Sequence, residues 1–198
     1  MENSSELSNF IKENNLTPIC GDLKEIEKKT SFKIKNELGF ELKLPENMAY
    51  CNEKFDIKLT YKNENQGICL TTKVIVVGMG CRRGKDFESL VSYYDDTLKK
   101  LNISENAVEK ICSIDLKKDE EGLIRLSEVK KIKFETYTAE ELLNVKGDFS
   151  SSTFVKSVTG VDNVCERSAV FGSGGGKILL HKESRDGMTI AIAEKIVL

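Results

Sequence analysis

The apolar positions of the chain follow two rhythms, and one gives way to the other near residue 72. Before that point they alternate singly: Phe40, Leu42 and Leu44 are separated by charged residues, and so are Phe55, Ile57 and Leu59. That is the period of a strand with one face buried. With Phe32-Lys-Ile, a helix over Glu6 to Asn14 and a turn at Pro18, the first 72 residues read as a small strand-bearing unit. Beyond them, Val74 to Val77 are four consecutive apolar residues, as in a strand buried on both faces. Phe87, Leu90, Val91, Tyr94, Leu98 and Leu101 then recur every three or four residues, the stripe of an amphipathic helix. The pattern continues with a helix from Ser104 to Lys110, a strand from Ile111 to Asp115, and a helix from Asp119 to Val129 with Leu123, Leu126 and Val129 inward. A strand from Lys133 to Tyr137 and a helix opened by the capping box Thr138-Ala-Glu-Glu141 follow. Two apolar helical patterns flank Gly160, and strands at Lys177 to His181 and Met188 to Ala193 close the chain. Strands alternating with helices predict a layered α/β domain over 73–198, preceded by the unit 1–72.

Composition changes at the same place. The first 72 residues hold 10 lysines, no arginine and 12 acids, whereas the rest holds 15 lysines, all 5 arginines and 20 acids. The net charge of -2 supplies no field to recruit nucleic acid or an anionic membrane, so any anion site must be local. Six cysteines at 20, 51, 69, 81, 112 and 165 never form a Cys-x-x-Cys pair, and His181 is the one histidine. Neither a disulfide framework nor a zinc site is indicated, and reduced thiols in the cytoplasm are the expectation. The first residues have no basic-then-apolar leader, and no apolar run approaches the roughly 18 residues that span a bilayer.

Chemistry concentrates where the buried strand enters Gly78-Met-Gly-Cys-Arg-Arg-Gly84. Glycines let turn amides approach a ligand, and Arg82 and Arg83 lie at the carboxyl end of a strand, where α/β sheets place ligands. The spacing departs from the dinucleotide fingerprint, since Arg83 stands where its third glycine would fall. Closure of a tight turn is the alternative reading of the glycines. Cys81, beside two cations and a helix start, reads either as a packed thiol or as an activated nucleophile. Phe171-Gly-Ser-Gly-Gly-Gly-Lys177 is not a phosphate loop, because a helix precedes it, a strand follows and Ile178 succeeds the lysine; it remains a loop that can border a ligand. His181 reads as a packed or edge residue of a strand, with a catalytic role the alternative, Asp115 to Glu121 as a solvated charge run, and Glu166 and Arg167 as a surface ion pair.

Three segments together resemble the C-terminal domain of the CbiG/CobE family of cobalamin biosynthesis. They are Gly78 to Gly84, Ser113-Ile-Asp-Leu-Lys-Lys-Asp-Glu120 with Gly122-Leu123, and Thr159-Gly-Val-Asp-Asn-Val-Cys-Glu-Arg-Ser-Ala169. The resemblance covers 73–198, and 1–72 is more weakly similar to the middle segment of the CbiG-type protein; no segment resembles the further N-terminal domain of that protein. It implies a three-layer α/β/α domain with a mixed sheet, and opening of the δ-lactone of cobalt-precorrin-5A with release of acetaldehyde. The alternative it implies is a non-catalytic module, similar to CobE, that binds a corrinoid intermediate or hands it to other enzymes of the pathway. Cobalt would arrive inside the tetrapyrrole, with no cofactor or metal held by the protein. Gly78, Gly80 and Gly84 would shape the turn, with Cys81 beside them, while Arg82 and Arg83 grip substrate carboxylates. Lys117 and Glu120 fall on the family's charged motif and Glu166 on its Val-x-Glu motif. Lactone opening then assigns Glu166 as base and Lys117 or Arg82 as its electrostatic partner.

Overall fold

The computed structural model describes residues 2–26, 28–39, 41–64, 67–147, 149 and 162–196, which form two compact units. The first contains the chain up to Lys73 together with Asn102–Ala107. Helix α1 (Glu2–Glu13) leads into a five-stranded sheet of β1 (Thr17–Cys20), β2 (Phe32–Asn36), β3 (Met48–Tyr50), β4 (Ile57–Leu59) and β5 (Ile68–Thr71). Their order is β1-β5-β4-β2-β3, with only the β1–β5 pair antiparallel. Phe32, Ile34, Ile57 and Leu59 are buried at alternate positions, so here the period of two reports a real ladder. At 41–44 it does not. Leu42 and Leu44 are half-buried, but no strand forms; the Leu42 amide donates to the Tyr50 hydroxyl at 2.9 Å instead of to a neighbouring strand. Phe40 lies outside the described residues. Pro18 is not a turn but part of β1, whose place at the sheet edge tolerates a missing N–H.

The second unit holds Val74–Leu101 and Val108–Ile196. Its sheet has the order β8-β7-β6-β10-β9. The strands are β6 (Ile75–Cys81), β7 (Val108–Ile114), β8 (Lys133–Tyr137), β9 (Lys177–Arg185) and β10 (Met188–Glu194). Strands β6, β7 and β8 run parallel, β10 runs antiparallel to both β6 and β9, and the sheet is therefore mixed. Helices α2 (Phe87–Lys100) and α3 (Glu121–Lys130) make the β6–β7 and β7–β8 crossovers. Both crossovers step the same way along the sheet, so the right-handed rule puts both helices on one face. On the other face lie α4 (Ala139–Leu143) and α5 (Val164–Gly172), completing an α/β/α sandwich.

The two faces of the sheet are made differently. Toward α2 and α3 point Ile75, Val77, Met79, Ile111, Ile190 and Ile192, all fully or almost fully buried. Toward α5 point Val76, Gly78, Gly80, Cys112, Ala191 and Ala193, a row of mostly small residues. A Cβ on Gly78 would stand 1.8 Å from the Cys165 carbonyl oxygen, so α5 lies directly on the backbone of β6. Gly172 repeats the device from the helix side, where a Cβ would meet Cys112 Sγ at 2.6 Å.

Three predicted features change. The segment from Ser104 to Lys110 is a single 3-10 turn, Glu105–Ala107, after which β7 already begins at Val108. Val129 is exposed, because α3 packs through Leu123, Leu126 and Ser127, and Lys130 continues that stripe over the Tyr94 ring. Of the two helices flanking Gly160, α5 is present and the other lies outside the described residues. Among the described residues no helix is long and apolar enough to cross a membrane.

Candidate functional site

The glycine-arginine segment is a strand end rather than a glycine turn. Gly78 and Gly80 lie inside β6, so they do not shape the turn as expected; their missing Cβ atoms admit α5 and the Thr189 hydroxyl. Only Gly84, at φ +71, performs a turn. Strand alternation also separates the two arginines. Arg83 turns toward the start of α3, where its Nη1 donates to Asp119 at 3.0 Å and its Nη2 to the Leu116 carbonyl at 2.9 Å. Arg82 follows the side of Gly78 and Gly80, and its aliphatic stem lies against Gly187 in the β9–β10 turn. Its guanidinium is exposed and makes no side-chain hydrogen bond among the described residues. The expected double cation is thus one engaged guanidinium and one available one, facing different ways.

Lys117 and Glu120 form a clamp at the end of β7. Lys117 follows β7 in a 3-10 turn (Asp115–Lys117), and Glu120, 3% exposed, precedes α3. One oxygen of Glu120 accepts from the Gly84 amide at 2.7 Å and the other from Lys117 Nζ at 2.8 Å. Burial works against its charged form, but the Lys117 ammonium and the Gly84 amide outweigh it and hold the carboxyl below its ordinary range. The charge run from Asp115 to Glu121 is therefore not merely solvated. No hydrogen bond or ion pair joins Lys117 to Glu166, so the two residues expected to work together are not in contact. A cavity of ≈ 460 Å³ opens on this side, but Asp86, Glu88, Asp119, Glu120 and Glu121 outnumber Arg83, Lys85 and Arg125 along it. Its walls suit a carboxylate-rich ligand poorly.

Cys81 ends β6 beside this cluster. Its burial pushes the thiol up to about 11 in spite of Lys117, Arg83 and Lys85, so it stays protonated near neutrality. The expected assistance from neighbouring cations is present and is outweighed by desolvation, which removes the nucleophilic reading.

The second cluster lies under α5. Asn163 caps the helix from a left-handed conformation (φ 48), its side-chain oxygen accepting from the Glu166 amide at 3.3 Å. Glu166 is 0% exposed, and Arg167 pairs not with it but with Asp162, at 2.9 Å. The surface ion pair is thereby corrected: a 3.6-residue period turns neighbouring positions about 100° apart, one onto the sheet and one away. Opposite Glu166, β9 carries a bulge. Ile190 pairs with Glu183 and Ile192 with Leu180, so Ala191 faces both His181 and Lys182. The bulge turns the Lys182 amide from the ladder toward α5, where it donates to Glu166 Oε1 at 2.6 Å. His181 Nδ1 lies 3.5 Å from the same oxygen, with its side chain 70% exposed. This juxtaposition with Glu166 was missed at the level of sequence, where His181 is a packed or edge residue or, in the alternative, a catalytic one; no local signal announces a bulge at that position. The Gly172–Gly176 loop lies at the far end of the sheet, fixed by the Gly176 amide on Ser173 Oγ at 2.9 Å, and does not border these groups.

What these elements define is a mixed-sheet α/β/α protein whose exposed arginine and buried carboxylate lie on one sheet face. The family described as Cobalamin synthesis G C-terminus matches residues 75–193, and the chain belongs to it. Among curated proteins it is similar to a cobalt-precorrin-5A hydrolase of Priestia megaterium, 34% identical over 127 residues, 64% of this chain and 34% of that protein. A cobalt-precorrin-5A hydrolase of Salmonella typhimurium (strain LT2) is 33% identical over 123 residues, 62% of this chain and 35% of that protein. The match thus spans about a third of the length of these relatives. Among solved structures, CobE, a protein from the cobalamin (vitamin B12) biosynthetic pathway, has a TM-score of 0.58 at 29% identity and covers 62% of this chain and 91% of its own. A cobalamin biosynthesis protein G homolog from Sulfolobus solfataricus, at 16% identity and a TM-score of 0.54, shares the fold over 96% of this chain and 60% of its own.

Proposed function

We propose that this chain acts in corrin-ring construction, opening the δ-lactone of cobalt-precorrin-5A with loss of acetaldehyde. The reading is supported by membership of the cobalamin synthesis G family and by the similarity to two proteins named as that hydrolase. The observation that carries it is the placement, on one sheet face, of the available guanidinium of Arg82 and the buried carboxylate of Glu166. A corrinoid precursor is a broad apolar disc fringed with carboxylates. Arg82 suits one such arm, because a guanidinium fork binds a carboxylate through two parallel hydrogen bonds. Glu166 supplies a carboxylate at the base position, and Arg82 rather than Lys117 is the exposed cation free to grip a substrate carboxylate. Cobalt belongs to the substrate.

The chemistry balances without an oxidant. Water oxygen bonds to the lactone carbonyl carbon, the carbonyl carbon–ring oxygen bond breaks, and the freed oxygen leaves as an alcohol. When that alcohol becomes the aldehyde oxygen, the adjacent carbon–carbon bond breaks and its electron pair stays on the macrocycle, which takes up a proton.

Acetaldehyde appearing on incubation of purified protein with cobalt-precorrin-5A is the expected result. Glu166→Gln is expected to lower the rate by roughly 10²-fold or more; full turnover by that variant would remove Glu166 from the chemistry. The similarity to CobE favours a second reading, a module that binds a corrinoid and passes it on. A saturable change in corrinoid absorbance with no acetaldehyde would select it.

A further inference from the structure

Glu166 poses a difficulty for the reaction just described: a carboxylate with no solvent exposure cannot itself touch a substrate lying on the surface. The neighbouring imidazole is placed to do so. We infer that His181 is the group that exchanges the proton with water and lactone, and that Glu166 is its positioning residue; this rests on the hydrolase reading.

Geometry and chemistry agree on the division. The Glu166 oxygen that accepts from the Lys182 amide at 2.6 Å also lies 3.5 Å from His181 Nδ1. When ionised, the Glu166 carboxylate only accepts hydrogen bonds, so it would favour the tautomer with hydrogen on Nδ1 and leave the Nε2 lone pair directed away from it. The 3.5 Å separation is at the outer limit of a hydrogen bond, as is common before substrate tightens a site. The bulge in β9 makes the pairing possible, because opposing two residues to Ala191 alters the alternation at His181 and Lys182. Among the described residues, Glu166 from α5 is the charged group within 4 Å of the imidazole, and Lys182 is its neighbour on β9. Glu183, next along β9, is drawn away to Lys100. Arg82 is two strands away, about 10 Å, and four residues along β6 from the row of Gly78 and Ala191, about 13 Å. A macrocycle with carboxylate arms is wide enough to touch both.

In the step so assigned, water gives a proton to Nε2 as its oxygen bonds to the lactone carbonyl carbon. The imidazolium returns that proton to the ring oxygen as the carbon–oxygen bond breaks. Nothing is oxidised or reduced.

Because His181 is the only histidine of the chain, its labelled imidazole gives a single NMR signal that needs no assignment. Removal of the carboxylate 3.5 Å from Nδ1 in Glu166→Gln is expected to shift that signal. An unchanged signal would overturn the pairing. In turnover, His181→Gln is expected to release acetaldehyde roughly 10²-fold more slowly, with imidazole restoring part of the rate to His181→Gly. Wild-type activity with an unaltered rate in His181→Gln overturns the inference and leaves the hydrolase reading standing. If the wild-type protein releases no acetaldehyde, that reading falls instead. A His181 signal then perturbed by cobyrinic acid supports its place against a carboxylated corrinoid, and an indifferent signal overturns it.

Discussion

Glu120 and Cys81, at the ends of neighbouring strands, show how burial acts on two acids with different partners. Burial raises the Cys81 thiol to about 11, since the cations near it make no hydrogen bond to its sulfur among the described residues. It fails to do the same to Glu120, whose two oxygens each have a donor. Glu120 has its folded-state pKa depressed, so its contribution to stability is present above the unfolded carboxyl value, about 4.3, and is lost as pH falls through the folded value. Replacing Lys117 by Met should therefore destabilise the protein by about 2–3 kcal/mol at pH 7 and flatten its acid sensitivity, as urea unfolding at pH 7 and pH 4 would measure. Cys81 should resist iodoacetamide at pH 7.5 and react only as the pH approaches its raised value, which mass spectrometry of the modified peptide would show.

At the scale of elements, the contact of α5 with β6 decides the site. The helix lies on a glycine backbone, so its position is set by the absence of side chains. Gly78→Ala would bring a methyl within 1.8 Å of the Cys165 carbonyl and must displace α5. A loss of at least about 2–3 kcal/mol in thermal or chemical unfolding is expected. The first turn of the same helix depends on its cap: Asn163→Ala would lose the side-chain acceptor and retain an unfavourable positive φ, for about 1–2 kcal/mol. Asn163→Gly, which relieves that φ, should cost only a few tenths. If the two variants were equally destabilised, the left-handed cap would be irrelevant.

For the whole molecule, near-neutral net charge leaves any recognition of a carboxylated ligand to local cations, and of the two arginines after β6 Arg83 is engaged while Arg82 makes no side-chain hydrogen bond among the described residues. Arg82→Ala should weaken binding of a carboxylated corrinoid about tenfold or more, whereas Arg83→Ala, which removes an exposed pair with Asp119, should leave it nearly unchanged. Isothermal titration with cobyrinic acid distinguishes the two. Equal losses would mean that both guanidinium groups turn to the ligand on binding. The family match over residues 75–193 includes Arg82, His181 and Glu166, so these tests address the matched segment itself.

Much of this was legible from residue order alone. Period and caps are local properties, which is why β8, the capping box at Thr138, the α2 stripe and the layered α/β class follow from sequence, whereas the mixed sheet was implied by the family resemblance. The Gly-Cys-Arg-Arg-Gly segment, with the motifs around Glu120 and Glu166, likewise pointed to the family that residues 75–193 match. What the order of residues could not determine was which partner each charged side chain meets. Glu120 meets the Gly84 amide because β6 and β7 end side by side; Arg82 and Arg83 diverge because a strand alternates; and His181 reaches Glu166 because an extra residue in β9 lies under a helix more than ten residues earlier in the chain. Those are consequences of register and packing between distant segments, and only the tertiary structure decides them.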